Sequence, residues 1–167
     1  MTNNLITTEM LKQLSAPMMP DEIEWRQQGK PNEKGSMLVV PYLTARAVMN
    51  RLDTCIGAMN WKVSYQEWMQ KSVKCTIWIY DGKQWVYKED GADSPETEPI
   101  KGAFSDALKR CAVLWGIGRD LYQYPKVWVR AKDGKNGGIP DEVLPQLDQF
   151  VLDFSEGLIV KPFYYFK

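Results

Sequence analysis

A chain of 167 residues, 44% hydrophobic and 25% charged, has the size and composition of one folded domain spanning residues 1–167, with no disordered half. Its 21 basic and 21 acidic side chains cancel, so no global positive field draws in a polyanion and any nucleic-acid site must be local. Histidine is absent, which removes the commonest general base, proton shuttle and metal ligand and makes most hydrolytic mechanisms harder to build.

In chain order, Leu5, Met10, Leu11 and Leu14 set a short helical period that stops between Ser15 and Pro20. The opening MTNNLITTEMLKQL has no basic start followed by a continuous apolar core, and no stretch approaches the length of a membrane span, so a cytoplasmic location is expected. After Glu24-Trp25-Arg26 a loop rich in Gly, Pro, Asn and Lys runs to Gly35, and Met37 to Val40 read as a strand. From Thr44, a candidate N-cap, the apolar positions Ala45, Val48, Met49, Leu52 and Ile56 recur at helical spacing until Gly57. Arg46, Asn50, Arg51 and Asp53 fall on the outer face of that helix.

Between Trp61 and Lys88 the period changes to two. Three antiparallel strands, roughly residues 61 to 69, 72 to 80 and 84 to 89, fit this stretch, with Asp81-Gly82 as a hairpin turn. The acidic KEDGADSPETEP that follows reads as an exposed loop. A second helix is expected from Lys101 to Trp115, with Phe104, Leu108, Cys111 and Trp115 as its apolar stripe and Gly116-Ile117-Gly118 as its end. Residues 127 to 130 read as a strand, Lys132 to Gly138 as a basic glycine-rich loop and Glu142 to Phe154 as a third helix. The fold class is therefore α+β, an antiparallel sheet of three or more strands flanked by helices. Cys55, Cys75 and Cys111 match neither a disulfide framework nor a zinc pattern and are expected to be buried thiols in a reducing compartment.

Three constellations carry possible chemistry. Lys101, Ser105 and Lys109 recur at four-residue spacing, with Arg110 beside them, so one helical face could line a groove with cationic donors; an ordinary Asp106 to Arg110 pair competes with that reading. Lys126, Trp128 and Arg130 share one strand face and suit base stacking and phosphate contact, with a charged edge strand as the alternative. Asp81, Lys83, Glu89 and Asp90 form the third, a magnesium-dependent nuclease set, although Asp-Gly between alternating strands is also what a turn requires. No phosphate-loop signature occurs, so no ATP use and no cofactor are indicated. A protein-interaction module without a DNA role is left open by the residues alone.

The segment SDALKRCAVLWGIGRDLY at residues 105–122 closely resembles the signature of the Rad52 family of single-strand annealing proteins, particularly its short phage and bacterial members. EWR at 24–26, YLTARAVMNRLDTCIGAMNW at 42–61, the alternating strands and KEDGADS at 88–94 follow in the family's order, so the resemblance covers residues 24–122. It implies a helix-strand-strand-strand-helix annealing core and protomers joined into a ring or helical filament; residues 123–167, read above as strand and helix, form a C-terminal extension outside the resemblance. It implies a non-enzymatic, ATP-independent binder of single-stranded DNA that anneals complementary strands in recombination and repair, with double-stranded DNA and a single-strand-binding protein as further partners. A phage-encoded member would work in the bacterial cytoplasm.

Residue by residue, the family's Lys-Arg phosphate contact maps onto Lys109 and Arg110. A further arginine of eukaryotic members falls on Val113, and a basic residue of their first helix on Ala47, next to Arg46. Their outer DNA site uses a lysine where this chain has Tyr80, with Lys83 and Lys101 as nearby substitutes. The expected DNA contacts are thus Lys109, Arg110, Lys101, Arg46, Arg51, Lys83, Lys126, Trp128 and Arg130.

Overall fold

A computed structural model describes residues 6–94, 96 and 99–166, which leaves Leu5 of the leading helix and part of the acidic loop outside the described residues. Its fold is α+β, and the chain divides into two compact units. The first takes Met1–Ala16 and Leu43–Arg119, the second Pro17–Tyr42 and Asp120–Lys167.

The first unit holds α1 (Thr8–Leu14), α2 (Ala45–Ile56), β3 (Trp61–Trp68), β4 (Ser72–Tyr80), β5 (Trp85–Asp93) and α3 (Pro99–Leu114). Thr44 caps α2 as expected, its hydroxyl accepting from the Ala47 N–H at 3.1 Å, because a helix start leaves its first amides without carbonyl partners. β3, β4 and β5 form an antiparallel sheet in that order.

Strand alternation sends Cys75, Ile77 and Ile79 to one face, where they are buried beneath Ala103, Ala107, Leu108 and Cys111 of α3. The Cys111 thiol donates to the Lys88 carbonyl at 3.1 Å, and a hydrogen bond to Cys111 together with burial pushes the Cys75 thiol up. Both thiols are free and buried; Cys55 is only half-buried.

One local feature differs from the sequence expectation, and another follows it closely. The third strand runs on to Asp93 through residues that read as an acidic loop, because Asp90, Gly91 and Ala92 pair with Cys75, Lys74 and Val73. A β-carbon on Gly91 would lie 3.2 Å from the Val73 carbonyl oxygen, so the close strand approach suits a residue without a side chain. α3 is followed by Gly116 at φ +99°, where a β-carbon would sit 2.5 Å from that of Ser15. Glycine is needed there both for the left-handed turn and for the space.

The second unit holds β1 (Ile23–Gln28), β2 (Ser36–Leu43), β6 (Lys126–Arg130), α4 (Leu144–Ser155) and β7 (Phe163–Phe166). Its sheet runs β1-β2-β6-β7, with β2 antiparallel and β7 parallel to β6. Met37, Val39, Val127 and Val129 face Leu147 and Phe150 in its core, and Trp25, Tyr124, Tyr164 and Phe166 pack around them. Phe150 meets Trp25, Tyr124, Tyr164 and Phe166 at ring separations of 4.9 to 6.2 Å, so its truncation would cost about 3–5 kcal/mol. The expected strand at 127–130 and the C-terminal helix are present, and β1 and β7 are additions to the expected elements.

Candidate nucleic-acid interface

The cations expected to touch DNA fall in both units: Arg46, Arg51, Lys83, Lys101, Lys109 and Arg110 in the first, Lys126 and Arg130, with Trp128, in the second. On α3, neither the open row of donors nor the Asp106–Arg110 pair is what forms. Asp106 instead holds Lys109, three residues on, at 2.6 Å, and the Lys109 side chain is only 12% exposed. Arg110 reaches across to β5, its Nη2 lying 3.2 Å from Asp90 Oδ1 with the Arg110 side chain 55% exposed and that of Asp90 28%.

The magnitudes separate these two cations. An exposed ion pair contributes about 0–1 kcal/mol, so a phosphate can replace Asp90 as the partner of Arg110 at little cost. Arginine also offers a planar fork suited to a phosphate. Lys109 is enclosed and has less freedom to change partners.

Two further cations gather where α3 ends. Lys88 Nζ donates to the Leu114 carbonyl at 2.6 Å, and Arg119 Nη2 donates to the same carbonyl at 3.0 Å and to that of Val113 at 2.8 Å. The last carbonyls of a helix lack intrahelical partners and carry the negative end of its dipole, which accounts for both contacts. Lys88 also stands 4.7 Å from the Trp115 ring. Neither residue was among the expected contacts, because Lys88 lies at the start of what read as an acidic loop, and only the strand pairing turns it toward α3. With Arg110, they gather three cations around the C-terminal half of α3, with Asp90 holding one of them.

Arg46 is exposed in the first turn of α2, where the helix dipole disfavours a cation. Arg51 departs from its expected place on the solvated face: it is 8% exposed and its guanidinium donates to the Ala16 carbonyl just past α1. The helical period placed it outward, but α1 packs on α2 and covers it. Lys101 is exposed in the first turn of α3.

Lys83 lies at the β4–β5 turn, where its N–H donates to Asp81 at 2.7 Å. The Lys83 and Gln84 amides hold the Asp81 carboxyl below the usual range, the larger effect being that of Gln84. Glu89 and Asp90 pair with Thr76 and Cys75, whereas the turn lies beyond the Tyr80–Trp85 pair. The Asp90 level is thus roughly 17 Å along the strand from that end, and Glu89 and Asp90 point to opposite faces. The four residues of the nuclease set are therefore not brought together.

In the second unit Lys126 and Arg130 are exposed and Trp128 half-buried, while Val127 and Val129 are buried, which is the expected alternation. β6 lies between β2 and β7, so its charges do not guard an open sheet edge. Tyr165 pairs with Trp128 in register and its hydroxyl is 2.8 Å from that of Ser36. In the basic glycine-rich loop Lys132 pairs with Asp141 at 3.2 Å, and the Lys135 amide, with the Asn136 side chain, holds the Asp133 carboxyl low. Among the described residues no group of three or more acidic or cysteine side chains is placed to hold a metal ion, and no helix is long and apolar enough to cross a membrane.

The first unit is thus of the α+β class, a helix laid on a three-stranded antiparallel sheet with a Lys-Arg pair on that helix. The description "Rad52/22 family double-strand break repair protein" matches residues 7–138 of this chain. The chain belongs to the Rad52/22 family. Among curated proteins it is similar to the single-stranded DNA-binding protein DdrA of Deinococcus deserti, 33% identical over 83% of this chain and 69% of that protein. DdrA of Deinococcus radiodurans is 31% identical over 86% of this chain and 67% of its own length.

Proposed function

We propose that this protein binds single-stranded DNA and anneals it to its complement in recombination and repair, without ATP and without a catalytic residue. Membership of the Rad52/22 family and the likeness to DdrA proteins, whose names state single-stranded DNA binding, support the substrate. The observation that carries the site is the exposed Arg110 side chain, paired across the surface with Asp90 and backed by Lys88 and Arg119 at the end of α3.

Annealing needs a strand held with its bases accessible and its phosphate repulsion offset; base pairing supplies the driving free energy. Arg110 takes a phosphate in place of Asp90, and exposed Arg46, Lys101 and Lys83 add to the electrostatic attraction. The Lys126, Trp128 and Arg130 face is a separate contact surface on the second unit, and Arg51 is structural. A neutral protomer binds tightly only if many weak contacts act along one strand, which a ring or helical filament of copies supplies. A single-strand-binding protein fits as a source of substrate strand.

A gel shift of labelled single-stranded DNA, with and without magnesium, tests this reading. A shift without cleavage in both conditions is expected, weakening steeply with salt as counterions compete. Replacing Lys109 and Arg110 with Ala is expected to abolish annealing while the circular dichroism spectrum stays native. Magnesium-dependent cleavage, or no shift at all, contradicts the proposal.

A further inference from the structure

Arg110 carries the phosphate contact in the reading above, yet its Nη2 is already met by a carboxylate of this chain. Asp90 reaches it from β5, where it pairs with Cys75 and so projects to the face that α3 covers. Its Oδ1 accepts from the Gly91 N–H at 2.7 Å and from Arg110 Nη2 at 3.2 Å, so the shorter bond is the one to the backbone. The ion pair meets through one nitrogen and one oxygen, beyond the roughly 2.7–2.9 Å of a close charge-assisted bond, and so fixes the plane of the guanidinium weakly.

We infer that Asp90 is an internal stand-in for a phosphate, a positioning residue that competes with the strand for Arg110 and sets how readily that DNA contact is made and released. The inference rests on the single-stranded DNA reading above and deepens it by adding a residue that regulates the same site. Competition outweighs help for reasons of exposure and bonding. The Arg110 side chain is 55% exposed, so an incoming phosphate meets it without displacing α3. When Arg110 turns to that phosphate, the Asp90 carboxylate keeps the Gly91 amide and, 28% exposed, takes water, so no buried charge is left without a partner. A single-point contact gives up little preorganisation when it breaks, but while it lasts it fills a donor that the phosphate needs.

The consequence suits annealing. A strand that is to find its complement must shift register while bound, and a contact that passes between a resident carboxylate and successive phosphates lets it do so. Glu89 supplies a control within the same strand. It points to the opposite face, where it meets Lys74 at 3.4 Å, so neutralising it changes the net charge by the same unit without releasing Arg110.

The test measures affinity of the intact chain for an oligothymidylate by fluorescence anisotropy, at a salt concentration low enough for Arg110→Ala still to bind. Wild type, Asp90→Asn, Asp90→Ser, Asp90→Glu and Glu89→Gln are compared, each with and without Arg110→Ala. Asp90→Asn keeps an oxygen for the Gly91 amide, so its circular dichroism spectrum is expected to stay native. Asp90→Asn and Asp90→Ser are each expected to tighten binding about two- to five-fold, the range of an exposed ion pair, and to slow dissociation. Asp90→Glu, which restores the carboxylate, is expected to bind as wild type does. The gain from Asp90→Asn is expected to vanish in the Arg110→Ala background, whereas any effect of Glu89→Gln is expected to be the same in both.

Folded Asp90→Asn and Asp90→Ser proteins that bind no more tightly than wild type overturn the competition and leave the functional reading intact. A gain of equal size with and without Arg110→Ala also overturns it, as an effect of net charge alone. Arg110→Ala binding as tightly as wild type removes the site on which the inference rests, and a wild-type chain that binds no strand overturns the functional reading itself.

Discussion

The two faces of the β3-β4-β5 sheet handle their cations in opposite ways. On the α3 side Lys109, Arg110, Lys88 and Arg119 each meet a carboxylate or a helix carbonyl. On the open side Lys62 lies over indole rings, and Lys74 is shared between Trp68 and Glu89. A chain of zero net charge thus makes local anion-binding surface by the placing of its counter-charges. Where the cation is exposed, as Arg110 is beside half-buried Asp90, a phosphate can exchange with its partner; where the cation is enclosed, as Lys109 is, exchange is costly.

The strongest way to break that contrast is Arg110→Glu, which sets a second carboxylate against Asp90. Single-stranded DNA affinity is expected to fall by at least about ten-fold, and the slope of log affinity against log salt to flatten by about one, read by filter binding across a salt series.

Gly116→Ala attacks the end of the same helix through the backbone. At φ +99° and with Ser15 in the way, it is expected to cost about 2–3 kcal/mol, seen as a lower midpoint in urea. Arg51→Met sharpens the distinction between structural and binding arginines. Losing the bond to the Ala16 carbonyl is expected to cost about 1–3 kcal/mol while DNA affinity of the folded protein stays unchanged, the reverse of the Arg110 pattern.

Thr44→Ala removes the cap of α2 and is expected to cost about 1 kcal/mol in thermal melts. The smallest effect is that of Asp81, whose carboxyl is held low by the Gln84 and Lys83 amides. A depressed carboxyl contributes stability above its unfolded range and loses it as pH falls through the folded value. Asp81→Asn is therefore expected to lower stability slightly in the neutral region and to flatten the acid limb, while the acid end of the profile stays as in wild type.

Much of the first unit was legible because its periods are strong. Thr44 and Gly57 bracket α2, and the alternation from Ser72 to Tyr80 marks β4. The division of the strands into two sheets was not legible, since it depends on pairings such as Met37 with Val129 across 92 positions of chain. The candidate site was half legible: the position of Lys109 and Arg110 on α3 follows from spacing, but their partners do not. Asp90 comes to Arg110 from a strand 20 residues earlier, and Asp106 pairs with Lys109 while Arg110 turns to the sheet.

Arg51 misled because a helical period says which residues share a face but not what a preceding helix covers. The open face escaped notice for a similar reason. Lys74 and Trp78 lie on the alternation that excludes Cys75 and Ile77, but Lys62 and Tyr87 join them only through cross-strand register.

The most direct test of the central claim is the rate at which two complementary labelled oligonucleotides pair, followed by energy transfer, without ATP or magnesium, for wild type and Arg110→Glu. Wild type is expected to speed pairing well above the spontaneous rate, and the folded Arg110→Glu protein to leave it near that rate. Equal acceleration by both proteins contradicts the assignment of the α3 surface, and no acceleration by wild type contradicts the annealing function.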